Sequence, residues 1–195
     1  MKRLLDILSS LLVLILLLPV WLIIAMAVAL ESRGGVFYHQ YRVGKDNRDF
    51  KMYKFRTMQT GSDQKGLLTV GDRDNRITRV GYFLRKYKLD EFPQLINVLK
   101  GDMSVVGPRP EVRKYVDLYT PEQMRVLSVR PGLTDIASIQ YVHEDEILAA
   151  SDNPEQTYIQ EVMPAKLALN LQYIDTQSLW GDIKLIWKTF TAILH

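Results

Sequence analysis

The chain has 195 residues, a formal net charge of +3 at pH 7 and no cysteine. This length predicts one globular domain of moderate size, and the lack of cysteine excludes disulfides and thiolate metal sites. The basic residues are not arranged as a nucleic-acid-binding module, so we expect no nucleic-acid partner. The small basic excess is compatible with an anionic membrane surface or an anionic substrate.

The first 31 residues are predicted to form a membrane segment. Lys2 and Arg3 precede an uncharged, apolar run over 7–30, which is longer than the roughly 18 to 20 residues that a membrane helix needs. Small residues over 25–29 resemble a signal-peptide cleavage site, but the apolar region of a signal peptide has only about 7 to 15 residues. A helix that simply spans the membrane is the remaining alternative.

Pro19 and the charges on both flanks favour a re-entrant helix over a span. Proline lacks an N–H and clashes with the carbonyl of Ile15, so we expect a kink, although Leu18 has no hydroxyl to satisfy a freed carbonyl. The positive-inside rule places both ends in the cytoplasm, because basic residues also follow the run, at Arg33, Arg42, Lys45, Arg48, Lys51, Lys54 and Arg56. We therefore divide the chain into a re-entrant helix over 1–31 and a membrane-surface domain over 32–195.

Two short strands, over 36–42 and 50–58, are predicted to form a β-hairpin around the turn at 44–47. The two-residue period of a strand places Lys54 and Arg56 on one face, beside apolar neighbours. An ordinary strand with solvated side-chain tips explains the same pattern equally well.

Two acidic stretches resemble metal sites, and we interpret both as surface loops. Asp72-Arg73-Asp74 lies in the polar stretch 61–79, which predicts a mobile loop. It resembles the metal-binding Asp-x-Asp of nucleotide-sugar glycosyltransferases, but such tripeptides are common. His143 lies among three acidic residues, a pattern more typical of a charged loop than of a metal site.

The stretch from 89 to 110 contains the candidate chemistry. Asp90 and Glu91 precede apolar residues at helical spacing, and Gly101 supplies a stop, which predicts a helix over about 91–100. The free N–H groups at a helix start lower carboxylate pKa values and attract phosphate. An ionised Asp90 can act as a nucleophile and its neighbour can hold Mg²⁺. The alternative is that Asp90 only caps the helix and Glu91 only favours its dipole.

Gly107-Pro108-Arg109-Pro110 holds an arginine on a stiff backbone. Each proline fixes its own φ and restricts the preceding residue. A guanidinium held in this way can form a planar, two-pronged contact to phosphate. A rigid turn with a solvated arginine is the alternative for this tetrapeptide alone.

Taken together, residues 89–110 resemble the signature of the bacterial sugar transferase family, the monotopic phosphoglycosyl transferases. The family pattern is approximately Leu-Asp-Glu-x-Pro-Gln-Leu-x-Asn-Val-Leu-x-Gly-x-Met-Ser-x-x-Gly-Pro-Arg-Pro, and this chain matches every fixed position. The resemblance implies that Asp90 is the nucleophile, that Glu91 holds Mg²⁺ and that Arg109 binds phosphate or nucleotide. Further stretches of the chain resemble the family and suggest additional phosphate contacts at Lys54, Arg56 and Arg85, although a solvated helix residue is an equal alternative for Arg85.

The resemblance implies a reaction and a location. Asp90 attacks the sugar-linked phosphate of a UDP-sugar and releases UMP, and polyprenol (undecaprenyl) phosphate then accepts the sugar phosphate. The enzyme is expected to be monotopic, on the cytoplasmic face of the bacterial inner membrane and in contact with its lipid. Three alternatives stay open: a glycosyltransferase that releases UDP, a ternary mechanism that releases UMP only with acceptor present, and a non-catalytic membrane scaffold.

The chain departs from the family pattern at two positions. Asn170 stands where the family commonly has aspartate, which removes the carboxylate that a metal-binding or arginine-orienting role would need there. Asp135 stands where a glycine usually follows Pro131-Gly132-Leu133-Thr134. We interpret both changes as marks of a substrate subgroup.

The C-terminal third is predicted to be helical. Thr120-Pro121-Glu122-Gln123 and Asn153-Pro154-Glu155-Gln156 each combine an N-cap with proline at the first helical position. A last helix over 178–195 has an apolar stripe with tryptophans opposite Lys184 and Lys188, which suits either a membrane interface or packing on the core. The predicted fold class is α/β (α+β), with a small antiparallel sheet surrounded by helices, the re-entrant helix and interfacial amphipathic helices.

Overall fold

The computed structural model describes residues 1–62 and 75–194 and confirms the predicted fold class. A two-stranded antiparallel sheet lies among helices that make up most of the described chain. The proposed Asp72-Arg73-Asp74 stretch and His195 lie outside the described residues.

Two helices at the start of the chain, α1 (Lys2–Leu16) and α2 (Leu18–Glu31), form a bent pair. Their axes differ by 65°, and the break falls at Leu17, next to Pro19 in the first turn of α2. Within the described ranges, no single helix is long and apolar enough to cross a membrane, although this bent pair meets that test as a unit. The kink expected at Pro19 is therefore present.

Charged side chains attach the N-terminal end of the bent pair to the rest of the domain. The carboxylate of Asp6 accepts hydrogen bonds from Ser104 Oγ at 2.8 Å and from the Val105 N–H at 3.1 Å. Arg3 donates to the carbonyls of Leu99 and Met103 at 3.2 and 3.3 Å. The start of α1 is thus docked on the domain by polar contacts.

Glu31 attaches the other end. Its two carboxylate oxygens accept from the backbone N–H groups of Arg79 and Val80, at 2.7 and 2.9 Å, at the start of α3 (Arg79–Lys86). An acidic side chain at a helix N-terminus is stabilised by the free N–H groups there. Both ends of the bent pair are therefore held by the same domain.

The predicted hairpin is present. Strands β1 (Phe37–Val43) and β2 (Asp49–Phe55) pair antiparallel, with Tyr38 opposite Lys54. The turn between them has Asp46 and Asn47 at positive φ, a conformation that these two residue types tolerate better than most. The second strand is shorter than expected and ends at Phe55.

A second, parallel strand pair was not predicted. Strand β3 (Ser104–Val106) follows α4 (Gln94–Lys100) and pairs with β4 (Gly132–Thr134). The backbones meet closely at Gly107 and Gly132, since a Cβ added to Gly132 would lie 2.2 Å from Gly107 N. Only glycine fits such an approach, which holds the segment after β3 against β4.

The remaining helices pack around this centre. The Thr120–Gln123 capping box forms, with bonds of 2.9 and 3.3 Å, but the helix that follows, Gln123–Ser128, is 3-10 rather than α. Asn153 caps the short helix Pro154–Thr157 as predicted, and its side chain accepts from the Gln156 N–H. The other elements are α5 (Arg113–Val116), α6 (Ile136–Gln140), α7 (Glu144–Ala149), α8 (Pro154–Thr157), a π-helical turn (Tyr158–Val162), α9 (Met163–Asp175) and α10 (Leu179–Leu194).

Helix α10 packs on the core along one line only. Leu185 is buried against Val106 and Tyr173. Ile186 packs partly buried against the same cluster, whereas Trp180, Ile183, Trp187 and Phe190 are exposed. The contact of one edge of α10 with the core fits the packing alternative. The exposed aromatic side chains on its other side keep the membrane-interface alternative open.

Candidate active site

The two acidic residues lie in a 3-10 turn, so the helix predicted over about 91–100 is too long at its start. The turn covers Leu89–Glu91, and α4 begins only at Gln94. Pro93 has no N–H to donate to the carbonyl of Leu89, so no α-helical bond joins the turn at 89–91 to α4 at that point. The chain forms i to i−3 bonds instead, from Glu91 N to Lys88 O and from Phe92 N to Leu89 O, both at 3.3 Å.

Glu91 is held by two cations. Its carboxylate is buried, and Oε1 accepts from Lys54 Nζ at 2.9 Å. The guanidinium of Arg109 binds both carboxylate oxygens, with 3.2 Å from Nη1 to Oε2 and a shorter contact from Nη2 to Oε1. This two-pronged geometry is the strongest form of arginine–carboxylate pairing.

Asp90 is also buried, but its carboxylate makes fewer contacts than that of Glu91. Lys54 Nζ approaches its Oδ2 at 4.0 Å. Within residues 1–62 and 75–194, no hydrogen bond to the Asp90 carboxylate is formed. The adjacent carboxylates therefore differ: Glu91 is fixed by three N–H contacts, and Asp90 keeps its oxygens available.

Electrostatics separate the two carboxylates further. Burial raises the pKa of Asp90, and Lys54 opposes this rise. Burial would also raise the pKa of Glu91, but Arg109 and Lys54 together hold it well below its usual value. The expectation that the pKa of Asp90 is lowered was wrong, because desolvation by burial is the largest influence on this carboxyl and raises its pKa.

Arg85 acts on the same carboxylate. Its positive charge, with that of Lys88, lowers the pKa of Asp90 against the effect of burial. Lys88 has a left-handed backbone, with φ of 54°, directly before the 3-10 turn. This strained conformation reverses the chain after α3, consistent with backbone strain at a functional site.

Arg56 contacts a different part of the molecule. Its side chain is buried, and Nη2 donates to the carbonyl of Ser32 at 2.8 Å, where α2 ends. A Cβ on Gly34 would overlap Arg56 Nη1, so the linker passes directly over the guanidinium. The structure thus brings Lys54 and Arg109 to Glu91, whereas a phosphate contact at Arg56 stays a prediction.

Asn97 positions Lys54, and sequence reasoning missed it. The amide of Asn97, fully buried on α4, accepts from Tyr53 N at 3.0 Å and donates to Lys51 O at 2.8 Å. These bonds fix β2 against α4 next to Lys54. The available signal was a polar residue on the apolar face of the predicted helix, since a buried amide needs partners.

Sequence reasoning also missed that Asp135 and Asn170 interact with each other. Asp135 accepts from the Arg109 N–H at 2.8 Å, and Asn170 donates to the same carboxylate oxygen at 3.2 Å. Sequence reasoning noted each position separately as a departure from the family pattern. Residues 35 positions apart have no sequence signal that would join them.

The oxygen ligands at the site fit Mg²⁺. Glu91 is ionised, as a metal ligand must be, and its three N–H contacts leave one of a carboxylate's roughly four lone-pair directions available. Mg²⁺ commonly takes one or two carboxylates and completes its shell with water and substrate phosphate. In the described part of the chain, no group of three or more His, Cys, Asp or Glu side chains could hold a metal without such help.

His143 has the surface role that its sequence context predicts. It is exposed, and its Nδ1 lies 3.0 Å from Glu146 Oε1 at the start of α7. The acidic residues beside it form the first turn of that helix rather than a loop. Acidic residues in a first turn favour the helix dipole.

The chain belongs to the bacterial sugar transferase family. The family profile, described as bacterial sugar transferase, matches residues 1–195. The resemblance identified from residues 89–110 is thereby confirmed over the full length of the chain.

Three relatives illustrate the range of similarity. The chain is 42% identical over 196 residues to UDP-N-acetylgalactosamine-undecaprenyl-phosphate N-acetylgalactosaminephosphotransferase of Aeromonas hydrophila, covering 99% of this chain and 43% of the relative. It is 37% identical to UDP-glucose:undecaprenyl-phosphate glucose-1-phosphate transferase of Caulobacter vibrioides, covering 99% and 69%. It is 34% identical to the exopolysaccharide production protein ExoY of Rhizobium meliloti, covering 98% and 84%. The chain thus spans less than half the length of the Aeromonas relative.

Proposed function

We propose that this protein transfers a sugar phosphate from a UDP-sugar to polyprenol phosphate and releases UMP. The observation that carries the proposal is the contrast within the acidic pair: the buried Asp90 carboxylate accepts no hydrogen bond from the described residues, whereas Glu91 is held by Lys54 and Arg109. Two relatives are named as undecaprenyl-phosphate sugar phosphotransferases, which supports the choice of donor and acceptor class.

In the first step, a carboxylate oxygen of Asp90 attacks the sugar-linked phosphorus of the UDP-sugar. The bond from that phosphorus to the bridging oxygen breaks, and UMP leaves with the oxygen and its electron pair. The sugar phosphate stays on Asp90 as an acyl phosphate. A poorly hydrated carboxylate with a raised pKa is suited to this attack, because few interactions stabilise its charge in the resting state.

In the second step, a phosphate oxygen of polyprenol phosphate attacks the same phosphorus. The bond between phosphorus and Asp90 breaks, which regenerates the carboxylate and yields a polyprenyl-diphosphate-linked sugar. Both nucleophiles are anions, so neither step requires a base to remove a proton. This agrees with a site built from carboxylates and cations.

Lys54, Arg109 and Glu91 are proposed to stabilise the transferred group. Phosphoryl transfer is accelerated mainly by positioning and by neutralising the phosphoryl oxygens. Arg109 stays protonated, because Glu91 raises its pKa above an already high value. Glu91 would hold Mg²⁺, which when bound supplies further positive charge at the diphosphate.

We place the protein at the cytoplasmic face of the bacterial inner membrane, with the bent pair α1 and α2 dipping into one leaflet. Contacts of Asp6 and Glu31 hold both ends of the pair to one domain, which supports an entry and an exit on the same side. The apolar side chains of the pair are largely exposed, as expected of a lipid-facing surface. This arrangement brings the site to a lipid acceptor.

The decisive experiment measures nucleotide release by purified protein in detergent or lipid discs. A panel of UDP-sugars is incubated with Mg²⁺, with and without polyprenol phosphate, and UMP and UDP are quantified. We expect UMP from one or two sugars, with an amount equal to the enzyme released before acceptor is added. UDP release would instead indicate a glycosyltransferase, and UMP only with acceptor present would indicate a ternary mechanism.

Matched variants test the role of Asp90. Asp90→Asn keeps the side-chain volume but removes the nucleophile, so UMP release should fall by at least about 1,000-fold. Asp117→Asn is the control, because Asp117 is exposed and only approaches Arg113 at 3.8 Å. Equal activity of both variants, or no UMP from any donor with folded wild type, would contradict the proposal.

A further inference from the structure

We infer that Asp135, with Asn170 as its partner, is a positioning residue that aims Arg109 at the reacting phosphate. The inference rests on the proposed function, because Arg109 is taken as a phosphate-binding residue there. Its physical basis is a hydrogen bond that fixes the backbone of Arg109 to Asp135, in the same residue whose guanidinium binds Glu91.

The Arg109 N–H is the one backbone donor in the segment 108–110. Pro108 and Pro110 have no N–H. The bond from Arg109 N to Asp135 is therefore the one hydrogen bond that a backbone donor of 108–110 can supply. Before it, Gly107 donates to Thr134 O at 3.0 Å and continues the pairing of β3 with β4. The bond to Asp135 therefore fixes the position of the Arg109 backbone in the segment that follows β3. It also sets the direction in which the Arg109 side chain leaves that backbone.

Three N–H groups converge on the Asp135 carboxylate, which is only 1% exposed. Oδ2 accepts from Arg109 N at 2.8 Å and from Asn170 Nδ2 at 3.2 Å, and Oδ1 accepts from Ser138 N at the start of α6. A group that only accepts is required here. An asparagine at 135 would turn its NH₂ toward at least one of these donors.

Asn170 belongs to the same unit. Its Nδ2 faces Asp135, while its buried Oδ1 has no hydrogen-bond partner among the described residues. A carboxylate at 170 would stand about as close to Asp135 as the amide does, and two buried anions at that distance repel strongly. The two departures from the family pattern therefore depend on each other: the carboxylate at 135 needs a hydrogen-bond donor at 170, and Asn170 supplies it.

The test is a double-mutant cycle between Asp135 and Arg109. In Asp135→Asn, an amide oxygen that keeps the N-cap bond to Ser138 N leaves the NH₂ facing Arg109 N. In that orientation the fold should persist while Arg109 N loses its acceptor. A misdirected guanidinium should lower kcat/KM for UMP release by about 10- to 100-fold. In an Arg109→Gln background, the same substitution should change kcat/KM by less than about twofold, because its effect passes through Arg109.

Equal loss in both backgrounds would overturn the inference, because Asp135 would then act on the fold or on another group. If Asp135→Asn is unstable, the exchange Asp135→Asn with Asn170→Asp serves as its folded substitute in the same cycle. The exchange lets the amide at 135 donate to the carboxylate at 170, so the melting temperature should recover.

A crystal structure of Asp135→Asn gives a readout that does not depend on turnover. The inference expects the Arg109 guanidinium to leave its two-pronged contact with Glu91, and an unchanged contact would overturn it. Wild-type protein without activity on any donor would instead contradict the proposed function alone. The two failures are thereby distinguishable.

Discussion

The contact between Asp6 and the start of β3 should make a large contribution to stability. Asp6 is 6% exposed and accepts two hydrogen bonds, from Ser104 Oγ at 2.8 Å and Val105 N at 3.1 Å. Hydrogen bonds to a charged group contribute about 1.5 to 3 kcal/mol each. Asp6→Ala should therefore lower the free energy of unfolding by about 3 kcal/mol at least, because both donors lose their acceptor and Ser104 stays buried.

For a domain of this size, 3 kcal/mol corresponds to a fall in melting temperature of about 6 to 12 °C. The assay is thermal unfolding of the purified protein in one detergent, followed by an intrinsic spectroscopic signal. Asp6→Asn should lose much less, because its amide can accept from Val105 N and donate to Ser104 Oγ. Loss of this docking should also expose the start of α1 to limited proteolysis.

Ser9→Ala is the matched control on the same helix. Among the described residues, Ser9 bonds only to the carbonyls of Leu5 and Asp6 within α1, so its replacement should change stability by less than about 0.5 kcal/mol. If Asp6→Ala melts at the same temperature as Ser9→Ala, the hydrogen bonds of Asp6 contribute nothing to stability. The support that Asp6 gives to a re-entrant pair would then be lost, and the Arg3 contacts alone would remain at that end.

Three other perturbations have defined outcomes. Arg109→Lys keeps the charge but cannot form the two-pronged contact to Glu91, so kcat/KM for UMP release should fall by about 10- to 100-fold while the melting temperature changes little. Gly107→Ala would bring a Cβ to 2.5 Å from Arg130 O and should lower the free energy of unfolding by about 1 to 3 kcal/mol. Gly35→Ala is the control and should be close to neutral, because a Cβ there meets nothing closer than 3.7 Å. Chelation of divalent cations should abolish UMP release, and added Mg²⁺ should restore it; activity that persists in excess chelator would contradict the proposed metal.

Local patterns were sufficient to predict much of the secondary structure. The kink at Pro19, the hairpin around 44–47 and the cap at Asn153 each depend on residues a few positions apart. The start of α4 was predicted three residues too early, because helical spacing does not show that the chain over Leu89–Glu91 forms a 3-10 turn instead. The 3-10 form of Gln123–Ser128 was missed for a related reason, since a capping box marks where a helix starts but not its type.

The sequence by itself determined the family, the acidic pair, the stiff arginine segment and the apolar N-terminal pair, because each is a contiguous pattern. The tertiary structure alone decided which cations reach Glu91, since Lys54 and Arg109 come from separate elements 37 and 18 positions away. It also decided that the adjacent carboxylates differ in pKa, because burial and charge proximity are properties of the folded chain. For the same reason, only the fold reveals that the Asp135 carboxylate bonds to both Asn170 and the Arg109 backbone.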